Sequence, residues 1–403
     1  MGKRLVITGM GAVTPVGIGV ENYWQALLSG SCGIGDMRRI SPEGLPVTRS
    51  AEVKDFDAKA LLGTRLATDL DVFMQYAYAA GLEAFASFGP VGEPSRVGLV
   101  MGTALHGIGL TEAMQHEVEQ KGMRKVGPRF ISQIMGNMTA AHFAIQHGIK
   151  GPSFTVSTAC SSGGDAISLA AMLLESGAAD AMLVLAGEAA ECALSVLSLS
   201  KAGALSKTGR SLPFDRERDG FVIGEGGGAL LLETEEHARA RNARIYGTLL
   251  GWANNNDAFH PVSPSPDGAG AAACMRLALD KAGIGPEEIG YINAHGTATE
   301  KGDLAECAAI HAVFGSRPVP VSSTKGATGH MMGAGGVTEL IACVKALETG
   351  LLPHTVGLTT PGEEFDLNLI QGAPLASPIR AAMSNALGFG GQNSSIIVGK
   401  YEE

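Results

Sequence analysis

One cysteine and two histidines occupy positions where chemistry is possible. Cys160 stands in Ala159-Cys160-Ser161-Ser162-Gly163-Gly164, after an apolar β-type stretch at 153–158 and before a segment whose apolar positions Ile167, Ala170, Ala171 and Leu174 follow helical spacing. A thiol there faces the unpaired N–H groups of a helix start, which favour the thiolate, the nucleophilic form. His295 ends a second β-type stretch in Asn293-Ala294-His295-Gly296-Thr297, and His330 follows a third in Thr328-Gly329-His330, ahead of Gly333-Ala334-Gly335-Gly336. Two glycine-flanked histidines and a cysteine at three strand ends fit acyl transfer through a thioester. On spacing alone they fit three unrelated structural positions equally well. Cys32, Cys192, Cys274, Cys307 and Cys343 read as small hydrophobes, and His106, His116, His142, His147, His237, His260, His311 and His354 as core or surface groups.

The elements that must position these residues alternate. Strands are expected at 5–8, 97–101, 153–158, 182–186 and 229–232, with helices at 23–28 and 73–87. A similar series follows: strand 245–251, helix 271–282, strand 289–294, helix 304–314, strand 319–322, helix 337–348, then strands at 382–386 and 395–398. This is an α/β chain with mostly parallel sheets, in two pseudo-equivalent halves, 1–244 with the cysteine and 245–403 with the two histidines. Ligand sites in such sheets favour the carboxyl ends of strands, where all three residues lie.

Composition narrows the class. The 403 residues carry 30 Lys+Arg against 40 Asp+Glu, a net charge of −10 that argues against a nucleic-acid partner. Charged residues make up only 17%, and 56 glycines accompany 45% hydrophobic content, as expected of large buried sheets with many close turns. No apolar run is long enough for a membrane span, and Gly9, Gly11 and Pro15 make 5–8 a first strand rather than a leader. The cysteines are scattered without Cys-x-x-Cys or metal spacing, so no metal is expected and reduced thiols in a cytoplasm fit. Gly9-Met10-Gly11 lacks the third glycine of a dinucleotide fingerprint, His116-Glu117 lacks a zinc-protease partner, and neither a Gly-x-Ser-x-Gly nor a Walker-type loop occurs.

Several motifs in sequence order resemble the elongating β-ketoacyl-acyl-carrier-protein synthases, close to synthase II, over essentially the whole chain. They are Ser157-Thr158-Ala159-Cys160-Ser161-Ser162-Gly163; Pro213-Phe214-Asp215-Arg216 with Asp219-Gly220-Phe221-Val222 and Gly224-Glu225-Gly226; Asn293-Ala294-His295-Gly296-Thr297-Ala298-Thr299; Ser323-Thr324-Lys325 with Thr328-Gly329-His330; and Asn385 with Gly388-Phe389-Gly390-Gly391. The resemblance implies a thiolase fold with layered α-β-α-β-α architecture, no cofactor beyond the phosphopantetheine arm of an acyl carrier protein, and a homodimer or heterodimer. It implies that Cys160 takes the acyl group, with the amides of Cys160 and Phe389 as oxyanion donors and Phe389 as gate. His295 and His330 would bind the malonyl thioester carbonyl during decarboxylation, supported by Lys325 and Glu339. Thr297 and Thr299 would contact pantetheine, and Phe221 would line the malonyl side. The glycine-rich turns would let a thioester arm approach the backbone.

Three stretches depart from the family pattern. Val262 in Phe259-His260-Pro261-Val262-Ser263-Pro264 stands where a threonine usually touches pantetheine. Thr68-Asp69-Leu70-Asp71 replaces a basic docking cluster, and Glu300-Lys301-Gly302 replaces small and proline residues. Docking of an acidic carrier protein then falls to Lys121, Arg124, Lys125 and Arg129 with Lys207 and Arg210, in segments free of acids. These departures leave room for a specialised polyketide or polyene pathway. Chain-length factors replace the nucleophile, and thiolases use a second cysteine where His330 stands, so neither alternative matches these residues.

Overall fold

The structure, a computed structural model, describes residues 3–315, 317 and 319–402; Met1, Gly2 and Glu403, at the ends of the two expected halves, lie outside it. The first half supplies β1 (Leu5–Thr14), helix α1 (Val72–Phe85), β2 (Val97–Gly102), β3 (Ser153–Val156), helix α2 (Ser162–Glu175), β4 (Ala181–Glu188) and β5 (Gly226–Thr234). The second supplies β6 (Gly247–Asn256), helix α3 (Ala269–Ala282), β7 (Ile289–Asn293), helix α4 (Glu300–Phe314), β8 (Pro320–Ser322), helix α5 (Gly335–Thr349), β9 (Ala381–Gly388) and β10 (Gln392–Gly399).

Within the first half the spatial order is β3-β2-β4-β5-β1, and within the second β8-β7-β9-β10-β6, the same order counted along the chain. Pair orientations match as well. β2 runs parallel to β3 and β4 while β5 is antiparallel to β4 and β1; β7 runs parallel to β8 and β9 while β10 is antiparallel to β9 and β6. The sheets are therefore mixed, not mostly parallel. They are also continuous, since β1 pairs with β6 at Leu5↔Leu249 and Ile7↔Gly247.

Both faces of the sheet are covered. Along β4, Ala181, Leu183 and Leu185 pack in one cluster with α1, while Met182, Val184 and Ala186 face a second cluster with α2 and α5. The period of two persists, but both faces are apolar, so the sequence shows an unbroken apolar run. Helix α1 covers β1, β4 and β5, and α3 covers β6 and β10 with α4 packed on it. Between the halves lie α2, on β2, β3 and β4, and α5, on β7 and β9. The result is the expected five layers.

The close approach of α2 and α5 explains glycines that the sequence reading gave to a thioester arm. A Cβ on Gly163 would lie 2.9 Å from the Gly333 carbonyl oxygen, and one on Gly336 2.8 Å from the Gly164 nitrogen. These glycines admit neighbouring backbone. Gly388 does serve the site: a Cβ there would lie 2.8 Å from the Thr158 oxygen and 3.2 Å from the Cys160 nitrogen.

Candidate active site

Cys160 precedes the first turn of α2, and the turn before it is strained, with Ala159 at φ 52°. A non-glycine residue in that region costs roughly 1–3 kcal/mol and persists only where neighbours over-determine it. Here they do. Asp165, one turn into α2, accepts from Thr158 Oγ1 at 2.6 Å and from Ser161 Oγ at 3.1 Å, and Ser162 Oγ accepts the Thr158 amide at 2.9 Å.

His330 Nε2 lies 3.0 Å from Cys160 Sγ. Its own backbone is tied into the Phe221 motif, donating to the Val222 carbonyl at 2.8 Å and accepting from Gly224 at 2.9 Å. The Phe221 ring meets the His330 ring edge-on at 4.9 Å between centroids, and His295 meets it from another side at 5.3 Å. One cleft of about 500 Å³ is lined by Cys160, His295, His330, Thr297, Phe221 and Phe389. Thr299 and Val262 also line it, and the Thr297 and Thr299 hydroxyls are 2.9 Å apart. Val262 does occupy the cleft wall.

Lys325 and Glu339 form a buried ion pair, 1% and 3% exposed. With burial, the Lys325 charge holds both histidines well below the ordinary imidazole value, so both are neutral donors or acceptors near pH 7. Cys160 corrects the expectation of a thiolate favoured by the helix start. Burial pushes its thiol up to about 12, against the opposing pull of Lys325 and of the Phe389 amide, which donates to the sulfur. The resting pair is thus a thiol beside a neutral imidazole, in a contact whose donor is set by the His330 tautomer.

Sequence reasoning missed the carboxylates beneath the site. Glu306, in α4, accepts the His295 and Gly296 amides, both at 2.8 Å. Asp303, one turn earlier, accepts the Ala298 amide at 3.0 Å and the Phe214 amide at 2.8 Å, pinning Ala298 at φ 64°. Burial raises both, Glu306 to about 7 and Asp303 to about 6. The available signal was an acid within an apolar helix segment in a chain with only 17% charged residues.

The expected docking cations stand apart from this cleft's lining. Arg124, Lys125 and Lys207 are exposed and make no ion pair among the described residues. Lys121 pairs with Glu117, Arg210 with Glu217, and Arg129 with Asp69 at 2.9 Å. The segments that looked free of acids thus meet acids in the fold, including one from the departing 68–71 stretch.

A thiol, a neutral imidazole in contact with it and a second imidazole in the same cleft define a cysteine-dependent acyl-transfer enzyme. The comparisons make the class specific. The N-terminal domain model of the beta-ketoacyl synthases matches residues 2–238, and its C-terminal domain model matches 246–359. The chain belongs to the beta-ketoacyl synthase family. It is 38% identical to 3-oxoacyl-[acyl-carrier-protein] synthase 2 of Vibrio harveyi over 100% of this chain and 99% of the relative. Among solved structures it resembles the ishigamide ketosynthase/chain length factor, with a TM-score of 0.94 and 30% identity over 100% of both chains. It also resembles a type II polyketide ketosynthase in complex with its acyl-carrier protein, with a TM-score of 0.90 and 30% identity over 100% of both. The fold is thiolase-like, and the chain is a condensing acyltransferase.

Proposed function

We propose that this enzyme condenses a Cys160-bound acyl group with malonyl-acyl carrier protein, giving 3-oxoacyl-acyl carrier protein and CO₂ in fatty acid elongation. The observation that carries this reading is the 3.0 Å contact between His330 Nε2 and Cys160 Sγ in a cleft that His295 shares. Cys160 attacks the acyl thioester, and its proton passes to the departing phosphopantetheine sulfur, which leaves as the thiol. The amides of Cys160 and Phe389 stabilise the tetrahedral oxyanion. Malonyl carrier then places its thioester carbonyl against His295 and His330, whose N–H groups stabilise the enolate formed as CO₂ leaves. The enolate carbon attacks the acyl carbonyl, and the Cys160 sulfur departs as the thiolate, which takes a proton from water to restore the resting thiol. Lys325 and Glu339 fix the field around the histidines, Thr297 and Thr299 hold pantetheine, and Phe221 packs against His330 on the malonyl side. The phosphopantetheine comes with the substrate, so the reaction calls for no separate cofactor.

In this reading the division at 244/245 separates a nucleophile half from a histidine half, which the repeated strand order supports. The protomer pairs with a second copy, and Arg124, Lys125, Arg129 and Lys207 receive the carrier protein. Six free cysteines favour the cytoplasm. The likeness to the two polyketide ketosynthases supports a second reading, a specialised type II pathway with a chain-length-factor partner. Product length from defined acyl carriers and native mass separate the two.

The test is intact-mass analysis after incubation with acyl carrier protein. One acyl adduct is expected, absent from Cys160→Ala. An unchanged adduct in that variant sinks the assignment.

A further inference from the structure

Glu188 ends β4, is fully buried, and has no part in the reaction above. Its Oε2 accepts the Ala104 amide at 2.7 Å and the Gly333 amide at 3.2 Å, and its Oε1 accepts the Leu105 amide at 3.2 Å. These donors belong to two different parts of the site. Ala104 and Leu105 form the cleft wall after β2, in an apolar cluster with Phe221, Met332 and Phe389. Gly333 closes the turn that begins at His330 and passes through Met332 at φ 43°. The junction leaves no spare room: a Cβ on Gly333 would lie 2.6 Å from the Ala104 nitrogen and 2.9 Å from Glu188 Oε2.

We propose that Glu188 is a positioning residue that locks the His330 turn to the Ala104–Leu105 wall, so that the acyl chain against that wall and the histidine at the thiol are held by one carboxylate. Three amides on two loops share one acceptor, and without it the buried Gly333 amide and the half-buried Ala104 and Leu105 amides all lose their partner. Displacement of Leu105 by a primer is transmitted through two hydrogen bonds to a residue three positions from His330. Burial holds Glu188 at about 7, and its negative charge opposes ionisation of the Cys160 thiol, which places the carboxylate within reach of the nucleophile's field.

The inference rests on the condensing reaction proposed above, and the experiment keeps the two apart. Wild type is first titrated for the Cys160 acyl adduct and for condensation. Failure there removes the functional reading, whatever Glu188 does. Condensation kcat is then measured per acylatable site for Glu188→Ala, Glu188→Gln and Gly333→Ala, with acetyl and long-chain primers. Glu188→Ala is expected to lose at least ~30-fold in kcat with KM for malonyl carrier within threefold, and to change its ratio of long to short primers. Glu188→Gln, which keeps one acceptor oxygen, recovers part of that loss, and Gly333→Ala, which wedges the junction with Glu188 intact, reproduces it. If Glu188→Ala does not fold, the other two variants decide. Wild-type kcat per acylatable site and an unchanged primer ratio in the folded variants overturn the proposal.

Discussion

In the first half of the molecule the proposed catalytic residue is held through hydroxyl groups: Asp165 binds the Thr158 and Ser161 side chains on either side of Cys160. In the second half it is held through backbone amides: Glu306 binds the main chain of His295 itself and of Gly296. Both halves have the same strand order, so the difference lies in the turns and not in the scaffold. A hydroxyl rotates to another acceptor when its carboxylate is lost, and Ser161 Oγ already has one in the Thr158 carbonyl at 2.8 Å. A buried amide cannot turn. Each one left without an acceptor costs about 1–3 kcal/mol.

Paired substitution separates the two turns. Glu306→Ala orphans two amides at His295 and should lower condensation kcat by roughly 100-fold, about 2.7 kcal/mol of barrier. Asp165→Ala should cost less than roughly tenfold and only about 1 kcal/mol in stability, in line with the net worth of one hydrogen bond. Condensation kinetics with denaturant unfolding measure both. Equal losses would mean that the hydroxyl-held turn is as rigid as the amide-held one.

The halves also differ in electrostatics. Lys325 lies in the histidine half, yet its charge acts on residues from both: it lowers the two imidazoles and pulls down the thiol, without offsetting what burial does to Cys160. The thiol is therefore protonated throughout the neutral range, and the thiolate fraction grows about tenfold per pH unit below the titration point. Iodoacetamide alkylation of Cys160 should climb steadily from pH 7 to beyond 10. Because both histidines are already neutral, no break is expected near pH 6.5, where an ordinary imidazole titrates. An alkylation plateau below pH 8 would show that the α2 start and Lys325 together outweigh burial.

Much of this arrangement is written locally. Ile167, Ala170, Ala171 and Leu174, and in α5 Val337, Leu340, Ile341 and Val344, are all fully buried, so their apolar spacing located both central helices. Cys160, His295 and His330 were marked by glycines and strand ends. The helix Ile108–Lys121 left no trace, because none of its residues is buried and no apolar stripe is needed to form it. The β1–β6 pairing was equally illegible, since hydrogen bonds between distant strands leave no periodic mark. Glu306, Asp303 and Glu188 were missed for a third reason. They bind main-chain amides, which every residue has, so nothing in the partner's side chain advertises the contact.

The smallest expected effects lie on the surface, where the comparison is between free and paired cations. Arg124 and Lys125 occupy an exposed turn, Met123–Lys125, beside the exposed apolar side chains of Met123 and Val126. Arg129, a few residues on, already gives its charge to Asp69. In the proposed docking, an acidic carrier meets the first two cations without an ion-pair partner among the described residues, but must compete with Asp69 for the third. Arg124→Ala with Lys125→Ala should raise KM for acyl carrier protein by roughly three- to tenfold at low salt, with the difference shrinking as ionic strength rises, because exposed charges are screened beyond about 10 Å at 0.1 M. Arg129→Ala should shift KM by less than about twofold, and Asp69→Asn, which frees Arg129, should lower it. If Arg129→Ala weakens binding as much as the double variant, Asp69 releases its partner when the carrier docks, and charge pairing in the free enzyme no longer ranks the docking residues.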